Sequence, residues 1–162
     1  MKWADVIADK SLRNLPYKIE LDRYGNILMS PAGNRRGRLQ VRIASLLERS
    51  LGNEAISECS IDTPEGVKVA DAAWCSPEFL HRHGYETPYP SAPEICVEIR
   101  SPSHSEEETR FKVGLYFEQG AKEVWIVLET GSVRFCGPEG ERSESIFRVD
   151  PRPELRHGRQ ER

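Results

Sequence analysis

The longest uninterrupted apolar run in the chain is the five residues Val124–Leu128. A helix that crosses a bilayer needs roughly 20 apolar residues, so the sequence predicts no membrane contact. Every hydrophobic element must instead bury one face against another layer. The 162 residues amount to one ordinary domain. A formal net charge of −3 excludes a strongly basic nucleic-acid coat protein, but leaves room for a local basic patch. The opening MKWADVIADK carries acids and no apolar segment, so no secretory leader is read and a cytoplasmic location is expected. Cys59, Cys75, Cys96 and Cys136 form no CxxC pair, so neither a zinc knuckle nor disulfides are expected.

Hydrophobic spacing and turn residues order the elements. Residues 1–16 are a polar lead-in with room for a short helix. Tyr17–Glu20 and Ile27–Met29 flank Arg23-Tyr24-Gly25-Asn26, which predicts a hairpin. Leu39, Ile43, Leu46 and Leu47, with Val41 added to the stripe, predict a helix ending near Leu51 before Gly52-Asn53. A strand pair follows at Ala55–Ile61 and Val67–Ala73, and a helical turn at Ser76–Gly84. Glu94–Arg100 alternates as a strand, Glu106–Gln119 reads as a helix stopped by Gly120, and Val124–Leu128 and Ser132–Cys136 are further strands. Ile146–Val149 is expected as a last edge strand. From Asp150 the chain has two prolines and one aliphatic residue, so 150–162 is expected to be a disordered tail beside a single domain over 1–149. The order is not a regular βαβ alternation. It predicts an α+β domain with a mixed β-sheet flanked by helices.

Three residues stand out chemically. Side chains alternate along a strand, so Asp71 shares a face with Val67 and Val69. It is a partly buried carboxylate if the strand reaches it, and a solvated one if the strand ends earlier. Glu98 lies opposite Ile95, Val97 and Ile99, on a face that either meets water or serves a site. Lys112 follows Glu108 by four residues, the spacing of a surface ion pair. It also lies at the edge of a face marked by Phe111, Leu115 and Phe117, from which it could reach Asp71 and Glu98 with Tyr116 beside it. Ser105 and Glu108 form a capping-box pattern at the start of that helix. Two carboxylates suit Mg²⁺, which keeps several waters. Such an ion polarises a phosphoryl oxygen and lowers the pKa of bound water, and a nearby lysine stabilises developing charge.

The stretch APEICVEIRSPSHSEEETRFKVGLYFEQGAKEVWIV resembles the pattern of the Uma-two family, endonucleases of the PD-(D/E)XK, restriction-endonuclease-like superfamily. Glu98, Ser101-Pro102-Ser103, Lys112, Tyr116, Gly120 and Trp125 fill that pattern. Val67–Asp71 is similar to the family's strand ending in the first metal-binding aspartate, and Tyr17–Glu20 with Ile27–Pro31 to its opening hairpin. The resemblance covers about residues 15–137. It implies a restriction-endonuclease-like core and a metal-dependent DNA endonuclease. Asp71 and Glu98 are then the metal-binding acids, Glu20 a further acid, Lys112 the catalytic lysine moved from strand to helix, and Mg²⁺ or Mn²⁺ the cofactor. Three positions depart from the pattern. Ala70 stands where a proline usually precedes the aspartate, Arg100 where the superfamily motif has lysine, and Arg36 where family members commonly carry a histidine.

Other constellations are weaker. His81-Arg82-His83 would lie on a helical turn, where i and i+2 do not face each other. His104 is placed to help cap the following helix. Arg35, Arg36, Arg38 and Arg42 cluster at the start of a helix, either as a phosphate site or as a solvated face. No P-loop, HExxH or GxSxG motif occurs. The alternatives to an endonuclease are a catalytically inactive nuclease-fold binding or regulatory module and a protein-interaction domain. A homo-oligomer is left open.

Overall fold

The structure is a computed structural model that describes residues 1–101 and 104–157. Pro102 and Ser103, two residues of the Ser-Pro-Ser segment, lie outside the described residues, as do 158–162. The elements run in the order α1 (Trp3–Ala8), β1 (Tyr17–Leu21), β2 (Ile27–Pro31), α2 (Asn34–Leu51), β3 (Glu54–Thr63), β4 (Gly66–Cys75), α3 (Pro77–His83), β5 (Ile95–Arg100), α4 (Glu106–Glu118), β6 (Glu123–Leu128), β7 (Val133–Gly137), β8 (Gly140–Arg142) and α5 (Arg152–His157). No helix among the described residues is long and apolar enough to cross a membrane.

Strands β3 to β8 form one mixed sheet in sequence order, and β1 and β2 form a separate hairpin. Only β5 and β6 are parallel, because α4 carries the chain back between them. The other neighbours are antiparallel. This is the expected α+β arrangement: a single domain with a mixed sheet flanked by helices. β5 is buried along its whole length because both faces of the sheet are covered. One face packs Val97, Ile99, Trp125 and Val127 against Ile43 and Leu47 of α2. The other packs Cys96, Val124 and Ile126 against Tyr116 of α4.

The hairpin lies against β4. Leu21 packs with Val67 and Val69, and Trp3 and Val6 of α1 close the cluster. Gly66, at φ +95°, makes the approach possible, since a Cβ there would fall 2.3 Å from the Leu21 carbonyl oxygen. Lys18 and Glu20 of β1 are thereby held over the middle of β4.

Three expectations need correction. Val41 does not join the helix stripe; it is 69% exposed, because two residues on from Leu39 is the far side of a 3.6-residue turn. Ile146–Val149 is not a strand. The last strand is β8, and the Ile146 N–H is taken by the Glu123 carboxylate at 3.0 Å instead of a ladder partner. The segment from Asp150 is structured through His157. Leu155 of α5 enters the α2-side core, and Glu154 pairs with Arg49 at 2.6 Å.

Candidate active site

The site begins where two strands part. β4 and β5 pair from Trp74↔Ile95 to Ala72↔Val97, and no further. The next residue of β4 is Asp71. Its Oδ2 accepts the Ile99 N–H at 2.7 Å, and its carbonyl accepts Gln40 Nε2 at 3.1 Å. Side chains thus satisfy backbone groups that the missing ladder would have served. Asp71 lies well inside β4 and is 1% exposed, so the strand does not end before it.

Glu98 sits on β5 beside this split and is fully buried. Its Oε1 accepts Lys112 Nζ at 2.7 Å and lies 3.4 Å from Lys18 Nζ; its Oε2 accepts the Tyr116 hydroxyl at 2.9 Å. The same Lys18 Nζ lies 3.3 Å from Asp71 Oδ1. Lys112 also reaches Glu20 Oε2 at 2.7 Å, and that oxygen accepts the Val69 N–H at 2.7 Å. Two ammonium groups therefore link three carboxylates drawn from β1, β4 and β5.

The expected set Asp71, Glu98, Lys112 and Glu20 is brought together, with Tyr116 beside it. Lys112 does not make the surface pair with Glu108. Glu108 faces Arg100 instead, at 3.7 Å. Phe111 is not part of a buried face; it is 52% exposed. The face of α4 that meets the sheet is Thr109, Lys112, Leu115 and Tyr116, largely polar, so apolar spacing could not reveal it. His104 does not cap α4, which Ser105 does by accepting the Glu108 N–H at 3.0 Å. His104 Nδ1 accepts the Ser101 N–H at 2.9 Å.

Lys18 is the residue that sequence reading missed. The available signal was period two: Lys18 and Glu20 point to one face of β1, two residues apart. Arg100 sits in line with Glu98, its Nε donating to Thr109 Oγ1 at 2.8 Å and its Nη1 lying 3.9 Å from Glu98. Arg36 Nε lies 3.7 Å from Asp71 Oδ1. The His81-Arg82-His83 run is remote from this cluster on α3, where His83 packs against Phe79 and Tyr89.

These groups border a cleft of about 310 Å³. Its lining includes the cations Lys18, Arg36, Lys68, Arg100 and Lys112 together with His104, Glu20 and Glu108. Burial alone would raise the pKa of Glu98, but the Lys112 and Lys18 ammonium groups outweigh it and bring the carboxyl down to about 2. For Asp71 burial wins: with Lys18 opposing and Glu98 reinforcing, its pKa is raised above the ordinary aspartate value. Burial works against the charge on Lys112 too, yet Glu98 and Glu20 raise its pKa, so it stays an ammonium. Two neighbouring carboxyls are thus pushed in opposite directions, Glu98 by its two lysines and Asp71 by burial.

The donor chemistry bears on a metal. Asp71 Oδ1 and Glu98 Oε1 approach one cation, Lys18 Nζ, from two strands. Two hard carboxylate oxygens around one cationic position suit Mg²⁺, which is commonly held by one or two carboxylates and keeps its remaining waters. Among the described residues no group of three or more His, Cys, Asp or Glu side chains is gathered closely enough to enclose an ion.

Comparison with known proteins agrees with this architecture. A solved structure described as "a putative nuclease belonging to DUF820 from Anabaena variabilis" superposes with a TM-score of 0.69 at 16% identity, over 88% of this chain and 93% of that one. At that identity the likeness speaks to fold. No curated protein matches the chain. The Uma2 family model, described as "Putative restriction endonuclease", matches residues 9–157. With that span matched, the chain belongs to the Uma2 family.

Proposed function

We propose that the protein is a metal-dependent DNA endonuclease that hydrolyses phosphodiester bonds in this cleft. One observation carries the reading. Glu98 Oε1 is shared by Lys112 Nζ at 2.7 Å and Lys18 Nζ at 3.4 Å, and Lys18 also serves Asp71 at 3.3 Å. Acids from two strands and lysines from a helix and a hairpin thus converge beside one cleft. Buried charges of this kind cost several kcal/mol each unless paired, and here they are gathered beside a cleft.

Asp71 and Glu98 would hold Mg²⁺ or Mn²⁺, with Glu20 as a further acid at the edge. When bound, such an ion supplies Lewis-acid polarisation of a phosphoryl oxygen and a more acidic water. The chain's own groups do the rest. Tyr116 fixes the Glu98 carboxylate by its hydroxyl hydrogen bond. Lys112, held cationic by Glu98 and Glu20, stabilises negative charge developing on the phosphorus oxygens. Arg100 is always charged and offers a phosphate contact rather than base chemistry. Cleavage of supercoiled plasmid with Mn²⁺ tests the reading: wild type nicks, while Asp71→Ala and Lys112→Ala do not. Equal nicking by all three would end it.

A second reading has its own support. All four oxygens of Asp71 and Glu98 lie within 3.4 Å of nitrogen or hydroxyl donors. A cluster so filled by lysines suits a nuclease-fold binding or regulatory module that has lost its metal. Calorimetric titration with Mn²⁺ separates the two, because this module would bind none at millimolar concentration.

A further inference from the structure

We infer that Arg36 forms an anion subsite in the cleft for a phosphate of the substrate strand, independent of any metal; the inference rests on reading the cleft as a phosphodiester site. Arg36 is 6% exposed, and its Nη2 is buried with no hydrogen-bond partner among the described residues. Its one ion-pair contact among the described residues is with Asp71, Nε lying 3.7 Å from Oδ1, beyond hydrogen-bond length. A buried donor left unpaired is costly, the more so on a charged guanidinium. Arg100 shows the contrast: it is 7% exposed, yet its Nε donates to Thr109 Oγ1 at 2.8 Å. The unpaired arginine is the one that borders the cleft next to Asp71.

Charge and hydrogen-bond chemistry select the ligand. The residues lining the cleft include five cations, Lys18, Arg36, Lys68, Arg100 and Lys112, against two acids, Glu20 and Glu108. Counting Asp71 and Glu98 behind them still leaves an excess of one positive charge. A planar guanidinium with free donors matches phosphate oxygens. His104 adds a neutral donor. Its Nδ1 accepts the Ser101 N–H at 2.9 Å, so in the neutral ring Nε2 carries the hydrogen. Arg36 is thus a binding residue at the cleft wall whose buried Nη2 has no partner among the described residues, and a phosphate oxygen reached by a small side-chain shift would supply one.

Titration of the full chain with inorganic phosphate, in chelator and low salt, tests this without activity or metal. Wild type is expected to bind saturably. Arg36→Met should weaken binding at least tenfold, and Arg36→Lys, which keeps the charge but loses the fork, by several-fold. Far-ultraviolet circular dichroism checks that both variants fold, and if Arg36→Met does not, Arg36→Lys carries the test. Competition by an unphosphorylated dinucleotide, lost in the variants, assigns an internal phosphodiester; competition only by its 5′-phosphorylated form assigns a terminal phosphate. Either supports the subsite. No saturable phosphate binding by wild type, or unchanged binding by both variants, overturns it. Plasmid nicking is read separately, so a protein that binds phosphate through Arg36 but never nicks would keep the subsite and lose the endonuclease reading.

Discussion

Glu98 and Glu123 are both fully buried glutamates on the adjacent parallel strands β5 and β6, yet they do different work. Glu123 opens β6 and faces the α2 side. Its carboxylate accepts Trp125 Nε1 at 2.7 Å, Ser145 Oγ, the Ile146 N–H at 3.0 Å and Arg142 Nη1 at 3.1 Å. Those donors belong to one short stretch of chain and its neighbours, so Glu123 clamps residues 142–146 to the sheet. Glu98 lies toward the carboxyl end of β5, on the α4 side, where open sheets place their ligands. It is held by Lys112 and Tyr116 of α4 and by Lys18 of the hairpin, beside a cleft. Burial of a carboxylate therefore does not mark a site. The difference proposed here is the cleft, where a substrate or metal could exchange with the lysines around Glu98.

The sharpest way to break this contrast is to neutralise each acid. Glu98→Gln should lower metal-stimulated plasmid nicking about 1,000-fold, equivalent to ~4 kcal/mol of transition-state stabilisation. Glu123→Gln should nick within threefold of wild type per folded molecule. Nicking by Glu98→Gln at wild-type rate would remove the distinction. Stability should fall in both, because each change breaks a buried charge pair. Glu123→Gln leaves Arg142 and the clamp donors facing an amide, and breaking such a buried pair costs about 3 kcal/mol. Urea unfolding measures it, and a midpoint unchanged from wild type would show that the clamp contributes nothing.

Acid titration sharpens the same comparison. The Glu98 carboxyl falls from its ordinary 4.5 to about 2 in the folded chain. The unfolded chain therefore takes up its proton first as pH falls. The stabilisation is complete above about 4.5 and is lost on the way down to about 2. The lowered Glu20 pKa acts in the same direction, where burial is outweighed by Lys112 and Lys18. The raised Asp71 pKa acts oppositely, since burial makes its ionised form costly and protonation relieves it. Between pH 5.5 and 3, wild type should lose on the order of 2 kcal/mol through Glu98 alone. Glu98→Gln should lose that much less in urea midpoints taken at the two pH values; identical losses would contradict the ion pairing.

Much of this was legible in the chain because it rests on period and punctuation. The hairpin, α2, the β3–β4 pair, the capped α4 and the apolar β6 follow from alternation, helical spacing, and Gly, Pro and Ser at their ends. Asp71, Glu98 and Lys112 were marked by polar groups sitting in line with, or at the edge of, apolar ones. Other features depend on distant partners. β8 was hidden because Gly140–Arg142 has no apolar alternation and is defined by its pairing to β7. The segment from Asp150 looked too polar to order, yet one leucine, Leu155, reaches the core. Lys18 looked like an ordinary surface lysine until the hairpin was laid on β4, because its partners are 53 and 80 residues away.

The finest test removes one donor from each glutamate. Tyr116→Phe deletes the hydroxyl on Glu98 Oε2, and Ser145→Ala the hydroxyl on Glu123 Oε1. Each carboxylate keeps its other donors, so each variant should lose only about 1–2 kcal/mol, the range for a hydrogen bond to a charged group. The thermal midpoints should then fall by similar amounts, but the activities should part. Without Tyr116 the Glu98 carboxylate is free to rotate about the Lys112 contact, and nicking should drop about tenfold, ~1.4 kcal/mol. Without Ser145 nothing near the cleft changes, and nicking per folded molecule should hold. If Ser145→Ala cost as much activity as Tyr116→Phe, the two glutamates would have to be read as one coupled network across the sheet, not as a clamp and a site.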